Sequence, residues 1–123
     1  MDLKEQIKDR TKKIGLDVIK MVGDIPAGNI ALRAVSAQIV RCATSIGANY
    51  RAACRAKSDA DFLNKLKIVE EETDETLYWL EILEDGNFVG SKILDELKKE
   101  TNEILSIIVA SIRTVKNRIN PKS

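Results

Sequence analysis

Apolar residues recur along the 123-residue chain at intervals of three and four, and no stretch alternates with period two for long enough to suggest a strand. Four helical patterns result. In the first, about 2–23, Leu3, Ile7, Ile14, Val18, Met21 and Ile25 fall within about 60° of one another at 100° per residue. In the second, about 29–56, Leu32, Val35, Ile39, Ala43, Ile46, Tyr50 and Cys54 share a face. The third, about 59–85, aligns Phe62, Leu66, Val69, Thr73, Leu77, Leu80 and Leu83, and the fourth, about 91–119, aligns Leu97, Ile104, Ile108, Ile112, Val115 and Ile119.

The breaks between these patterns carry their own chemistry. Gly23 to Gly28 encloses Pro26, Asp85-Gly86-Asn87 is followed by Gly90-Ser91, and Pro121 stops the last pattern. Between the second and third patterns no Gly or Pro occurs; Ser58-Asp59-Ala60-Asp61 instead places a capping hydroxyl ahead of two acids. Links this short make neighbouring helices antiparallel, so the expected fold is all-α, an up-down-up-down four-helix bundle in a single domain spanning 1–123. A domain of this length buries roughly two-thirds of its unfolded surface and folds without staples.

The second helix is rich in small residues. Residues 29–57 hold eight alanines and Gly47, a content that serves helix propensity or close packing against neighbours. The third helix carries more apolar surface than one stripe needs. Ile68, Trp79 and Ile82 lie about 200–260° around from Phe62. Either they form a subunit contact, or a wide core face or the loop holding Phe88 and Val89 covers them. Ile107 and Val109 flank the fourth stripe in the same way.

Composition narrows the functional classes. Histidine is absent, which removes the commonest general base and the usual zinc ligand. Glu71, Asp74 and Glu75 share part of a face, but a metal-dependent bundle enzyme would set Glu-x-x-His motifs on its helices, and none is present. No P-loop, dinucleotide turn or nucleophile elbow occurs. The reading is a protein that is not an enzyme, with no cofactor, no metal and no small-molecule substrate. The charged N-terminus lacks a secretory h-region, and the apolar run around Ile107–Ile112 is far short of the roughly 20 residues that span a bilayer. A cytoplasmic location without membrane contact is expected. Cys42 and Cys54, about 18 Å apart on one helix, cannot pair with each other and read as packing residues.

Charge is balanced overall, at 20 basic and 19 acidic residues, yet sharply segregated. Residues 25–57 carry Arg33, Arg41, Arg51, Arg55 and Lys57 with no acid, whereas residues 58–86 carry ten acids against Lys65 and Lys67. With Arg33 at zero, Arg51 falls near 0°, Arg55 near 40° and Arg41 near 80°, opposite the core face. Such a stripe either tracks phosphates or is neutralised by the acidic helix of its own or a neighbouring subunit. No aromatic lies on it to stack bases.

Several of these segments resemble a known family. Residues 39–53, from Ile39 through Arg41-Cys42-Ala43-Thr44-Ser45-Ile46 and Asn49-Tyr50-Arg51 to Ala53, resemble its R-x-A-x-S-I-x-x-N-x-x-E-G/A segment. Arg55 to Leu66 is similar to its R-x-S-x-x-(D/E)-F-x-x-x-L segment, and Glu75-Thr76-Leu77-Tyr78-Trp79-Leu80 to its E-T-x-x-W-L. This is the four-helix bundle family encoded in intervening sequences of bacterial 23S rRNA genes, and the similarity spans about 5–115. The resemblance implies an antiparallel protomer assembled into a homopentamer. It also implies kinship with accessory variability proteins of diversity-generating retroelements, which bind a reverse transcriptase and nucleic acid. On this chain Arg41, Asn49, Arg51 and Arg55 match the polar signature, and Phe62, Leu66 and Trp79 match packing positions. The family has no firmly assigned chemistry. Ala52 or Ala53 stands where an acid is usual, and the chain is near neutral where the retroelement accessory proteins are typically strongly basic. The expected function is a homo-oligomeric scaffold or adaptor that meets RNA or a nucleic-acid-bound partner through Arg33, Arg41, Arg51 and Arg55, with a reverse-transcriptase accessory subunit as the alternative.

Overall fold

A computed structural model describes residues 2–121. Four helices follow in order, α1 (Leu3–Gly23), α2 (Ile30–Ala53), α3 (Asp59–Asp85) and α4 (Ser91–Ile119), with no strand among the described residues. α1 packs on α2, α2 on α3, α3 on α4 and α4 back on α1, while the diagonal pairs stay apart. The α1–α4 seam is the most open of the four. Ion pairs at the two ends of the α3–α4 seam, Arg118 with Asp59 and Lys98 with Glu84, fix the antiparallel sense of that pair.

Three of the helix starts are capped by their own side chains. Asp2 accepts from the Glu5 amide at 2.8 Å, Asn29 from those of Ala31 and Leu32, and Ser58 from that of Asp61 at 3.1 Å. Each cap satisfies amides that the first turn leaves without a carbonyl partner. α2 stops at Ala53, short of the expected 56. Its amides switch there to tighter pairings, Arg55 to Ala52 O and Ala56 to Ala53 O, because the chain must turn into the extended backbone of Ser58. Asn87 closes α3 in the left-handed region, at φ 55°, where Asn is tolerated better than most residues.

The predicted stripes line one core, in which Ile7, Ile14, Ile39, Ile46, Leu66, Leu80, Ile104 and Ile108 are essentially fully buried. Leu3 and Ile119 are corrections to that expectation. Both stand exposed in terminal turns, where the facing helices offer nothing to pack against. Thr73 is buried as the third stripe predicted, and Cys42, Ala53, Leu94 and three further threonines (Thr11, Thr76 and Thr101) join the core beyond the stripes. At the α1–α2 crossing the backbones nearly touch. A Cβ on Gly47 would lie 3.2 Å from the Lys12 amide nitrogen and 3.3 Å from the Thr11 carbonyl carbon. Gly15 meets the Thr44 Cα at 3.4 Å on the same terms. Close approach is therefore one reason for the small residues of α2.

Candidate contact surface

The polar side chains of α2 are bonded to their own helix. Thr44 Oγ1 donates to Val40 O at 2.7 Å, Ser45 Oγ to Arg41 O at 2.8 Å, and Asn49 Nδ2 to Ser45 O at 2.9 Å. Asn49 thus supports the backbone of α2 rather than reaching outward. Arg33, Arg41 and Arg51 are what this face projects; Arg55, expected on the same helix, lies in the turn beyond Ala53, and all four are exposed.

Their fates differ. Arg41 leans across the seam to α3, where its guanidinium pairs with Glu75 and, at 3.2 Å, with Glu72. Those carboxylates hold its proton more tightly than usual, chiefly through the hydrogen bond to Glu75. Arg33, Arg51 and Arg55 have no acidic partner among the described residues. Of the two alternatives for the stripe, neutralisation within the protomer therefore applies to Arg41 and not to the other three.

Arg51 lines a groove of about 590 Å³ between α1 and α2. Gly15, Gly47 and Ala48 form part of its floor and Leu16 and Ile19 its apolar wall, and its charged lining is mixed, with Lys8, Lys12 and Arg51 beside Glu5 and Asp9. Lys8 is taken up by Glu5 at 2.7 Å. Leu16 and Ile19 are each 47% exposed. Both lie off the core stripe of α1, and two large apolar residues three apart on a polar face were a signal in the sequence that the stripe analysis passed over.

On α3, Ile68 is 42% exposed, and Tyr78, ten residues further along the helix, is 52% exposed. Trp79 packs partly against its own core and meets Tyr78 edge to face, with ring centroids 5.0 Å apart. Ile82 is half-buried. Of the three residues taken as a subunit contact, Ile68 is thus the one displayed outward, and Tyr78 joins it. Glu71, Asp74 and Glu81 stand exposed beside them without a basic partner among the described residues.

The remaining chemistry is structural. Burial pushes the Cys42 thiol up, and both cysteines are free. Arg10 clips the open α1–α4 seam, donating to Glu100 at 2.9 and 2.6 Å and pairing with Glu103. The hydrogen bonds from Arg10 hold the Glu100 carboxyl below its ordinary range. No group of His, Cys, Asp and Glu among the described residues could hold a metal ion, and no helix is long and apolar enough to cross a membrane.

Comparison with known proteins places this bundle. No curated protein matches the chain. A crystal structure of a protein of unknown function from the S23 ribosomal protein family of Bacteroides thetaiotaomicron VPI-5482 is 30% identical in sequence. It superposes with a TM-score of 0.79, covering 89% of this chain and 97% of that one. The family model described as 23S rRNA-intervening sequence protein matches residues 4–110, which takes in α1 from its second residue, all of α2 and α3 and most of α4. By that match and that shared fold, the chain belongs to the 23S rRNA-intervening sequence protein family.

Proposed function

We propose that the protein is a non-enzymatic scaffold or adaptor that works as a homo-oligomer, its subunits joined through apolar surface left over once each core is complete. The observation that carries this reading is the pair of displayed apolar sites in mid-helix, Leu16 with Ile19 and Ile68 with Tyr78. Large apolar side chains left exposed in mid-helix beside charged residues are what an interaction site uses. A homopentamer is the assembly that the sequence resemblance implies. Light scattering at micromolar concentration tests the reading. A mass several times 13.7 kDa is expected, and a monomer overturns it.

A second surface supports contact with RNA or a nucleic-acid-bound partner. Arg33 and Arg51 on α2, and Arg55 in the turn just beyond its end, have no acid to neutralise them, and guanidinium groups fork onto phosphate. Arg33 and Arg51 lie about 27 Å apart along the helix axis. Titration with a structured RNA at two salt concentrations should show affinity falling as salt rises. Binding with no salt slope, or binding that survives Arg33→Glu with Arg55→Glu, removes this contact.

A further inference from the structure

The order of the helices gathers the starts of α1 and α3 and the ends of α2 and α4 at one end of the bundle. Arg118 pairs there with Asp59 at 3.1 Å, and the Lys4 ammonium sits 5.2 Å from the centroid of the Phe62 ring. A hollow of about 260 Å³ joins these elements, its lining including Lys4, Cys54, Lys57, Ser58, Phe62 and Arg118. Charge is segregated by end as well as by helix. Residues 2–8, 51–65 and 113–121, which form this end, hold nine bases and four acids. Residues 17–33 and 81–99, which form the opposite end, hold five bases and seven acids.

All four acids of the basic end are engaged. Asp2 caps α1, Glu5 pairs with Lys8, Asp59 with Arg118 and Asp61 with Lys65. Lys4, Arg51, Arg55, Lys57, Arg113 and Lys116 are exposed and form no ion pair among the described residues. Further in, Asp9 shares the α1–α2 groove with Lys12 and Arg51, and Glu70 and Glu71 share an α3–α4 groove with Lys67, Arg113 and Lys116. Cations outnumber open acids in both places. The fold does not account for this crowding. Cations beside the last carbonyls of a helix are favourable, which covers Arg51, Lys116 and Arg118. Lys4 and Lys57 stand instead at the starts of α1 and α3, where the helix dipole disfavours positive charge. A bound polyanion relieves that cost and the mutual repulsion of the group.

The kind of polyanion follows from what this end lacks. The exposed aromatics among the described residues, Tyr78 and Phe88, lie in the later half of α3 and in the loop after it. Tyr50 is buried, and Phe62 is half-buried beneath Lys4. Single strands are held by stacking their bases on aromatic rings, so cations without open rings match the backbone of a duplex. With helix axes about 10 Å apart, the face is roughly 20 Å across and can touch several phosphates at once. Leu3 and Ile119 are exposed on the same end, but two aliphatic side chains fall well short of the apolar face with which a helix lies in a bilayer.

We infer that this end of the bundle, rather than the length of α2, is the centre of the nucleic-acid contact, and that it grips the backbone of double-helical RNA without reading sequence. The inference rests on the nucleic-acid reading proposed above. Arg51 and Arg55 belong to the contact, Lys4, Lys57 and Lys116 join it, and Arg33 lies toward the opposite end, about 27 Å along α2 from Arg51.

Fluorescence-anisotropy titration of a blunt RNA duplex of mixed sequence, at several salt concentrations, tests it. Lys4→Gln, Lys57→Gln and Lys116→Gln combined should weaken binding at least tenfold and lower the salt slope by about 2–3. Arg33→Gln should stay within about twofold of the wild type. All four positions are exposed, and circular dichroism confirms that each variant keeps its helices. Should the triple variant lose them, Lys57→Gln with Lys116→Gln replaces it, with a slope lower by about 1–2. Binding lost on Arg33→Gln but not in the triple variant overturns the inference and returns the contact to the length of α2. Tighter binding to a single strand of the same length than to the duplex overturns the assignment to double-helical RNA. A wild type that binds no RNA removes the nucleic-acid reading itself. If that protein instead sediments with phosphatidylglycerol vesicles, and the triple variant does not, the end belongs to an anionic bilayer.

Discussion

Replacing Thr101 by valine should stabilise the protein. Thr101 lies on α4 with none of its surface exposed, and its hydroxyl has no hydrogen-bond partner. The other buried threonines return theirs to the preceding turn: Thr11 Oγ1 donates to Ile7 O at 2.8 Å, Thr73 Oγ1 to Val69 O at 2.7 Å and Thr76 Oγ1 to Glu72 O at 2.8 Å. An unsatisfied buried polar group costs about 1–3 kcal/mol, whereas a made bond returns only about 0.5–1.5 kcal/mol net. Valine has nearly the shape of threonine and a similar helix propensity, so neither cavity nor backbone terms obscure the comparison. Thr101→Val should therefore gain about 1–2 kcal/mol, and Thr73→Val should lose up to about 1 kcal/mol. Urea unfolding followed by circular dichroism, at equal protein concentration and with unchanged m-value, measures both. A lower midpoint for Thr101→Val would refute the reasoning, because it would mean that the hydroxyl has an acceptor in solution.

Other perturbations have equally definite outcomes. Gly47→Ala should yield none of the roughly 1 kcal/mol that alanine normally gains over glycine in a helix, because the new Cβ meets the backbone of α1 at 3.2 Å and that backbone moves only as a whole helix; a full gain in urea unfolding counts against the close crossing. Gly47→Leu should cost about 1–3 kcal/mol through overpacking. The Glu100 carboxyl is depressed by Arg10, so its contribution is complete above the unfolded pKa of about 4.3 and is lost as pH falls through the lower folded value. The stability gap between wild type and Arg10→Met should accordingly shrink in acid, and a gap that is constant with pH sinks the assignment. Ser58→Ala should cost about 1 kcal/mol through the lost cap on α3, read from the same unfolding curves. Arg41→Gln should leave the salt slope of RNA binding unchanged while Arg33→Gln with Arg55→Gln flattens it, since Arg41 is already held by Glu72 and Glu75.

The core was legible because burial and helical period are the same signal. Ile14, Ile46, Leu80 and Ile108 sit where 100° per residue puts them, and Leu3 and Ile119 depart from it because a stripe carries no information about where the facing helix ends. Thr11 and Thr76 escaped for a related reason. Hydropathy counts a hydroxyl as polar, but in a helix the preceding carbonyl can satisfy it and let the residue into the core. Gly47 read as a small residue, while the 3.2 Å approach that demands glycine there is a property of two helices and belongs to neither alone.

The arginine stripe shows where such reading stops. A helical wheel gives each side chain an azimuth on its own helix but not the identity of the neighbour beside it. Arg41, near 80°, leans to the α3 side and meets Glu72 and Glu75, whereas Arg51, near 0°, opens onto α1 and its groove. One stripe in the sequence is therefore three things in the fold: an internal clamp at Arg41, a groove cation at Arg51, and unpaired cations at Arg33 and Arg55. The near-neutral total of 20 basic and 19 acidic residues hides this division as well. Most of the acids nearest the arginines are divided between internal pairs and an open ridge on α3, so the basic and acidic faces of one subunit do not cancel each other. Faces of opposite sign that are held apart on one bundle do not neutralise each other within the subunit, so water, counterions or a second molecule must meet them, and the salt dependence of any binding reports which of these does.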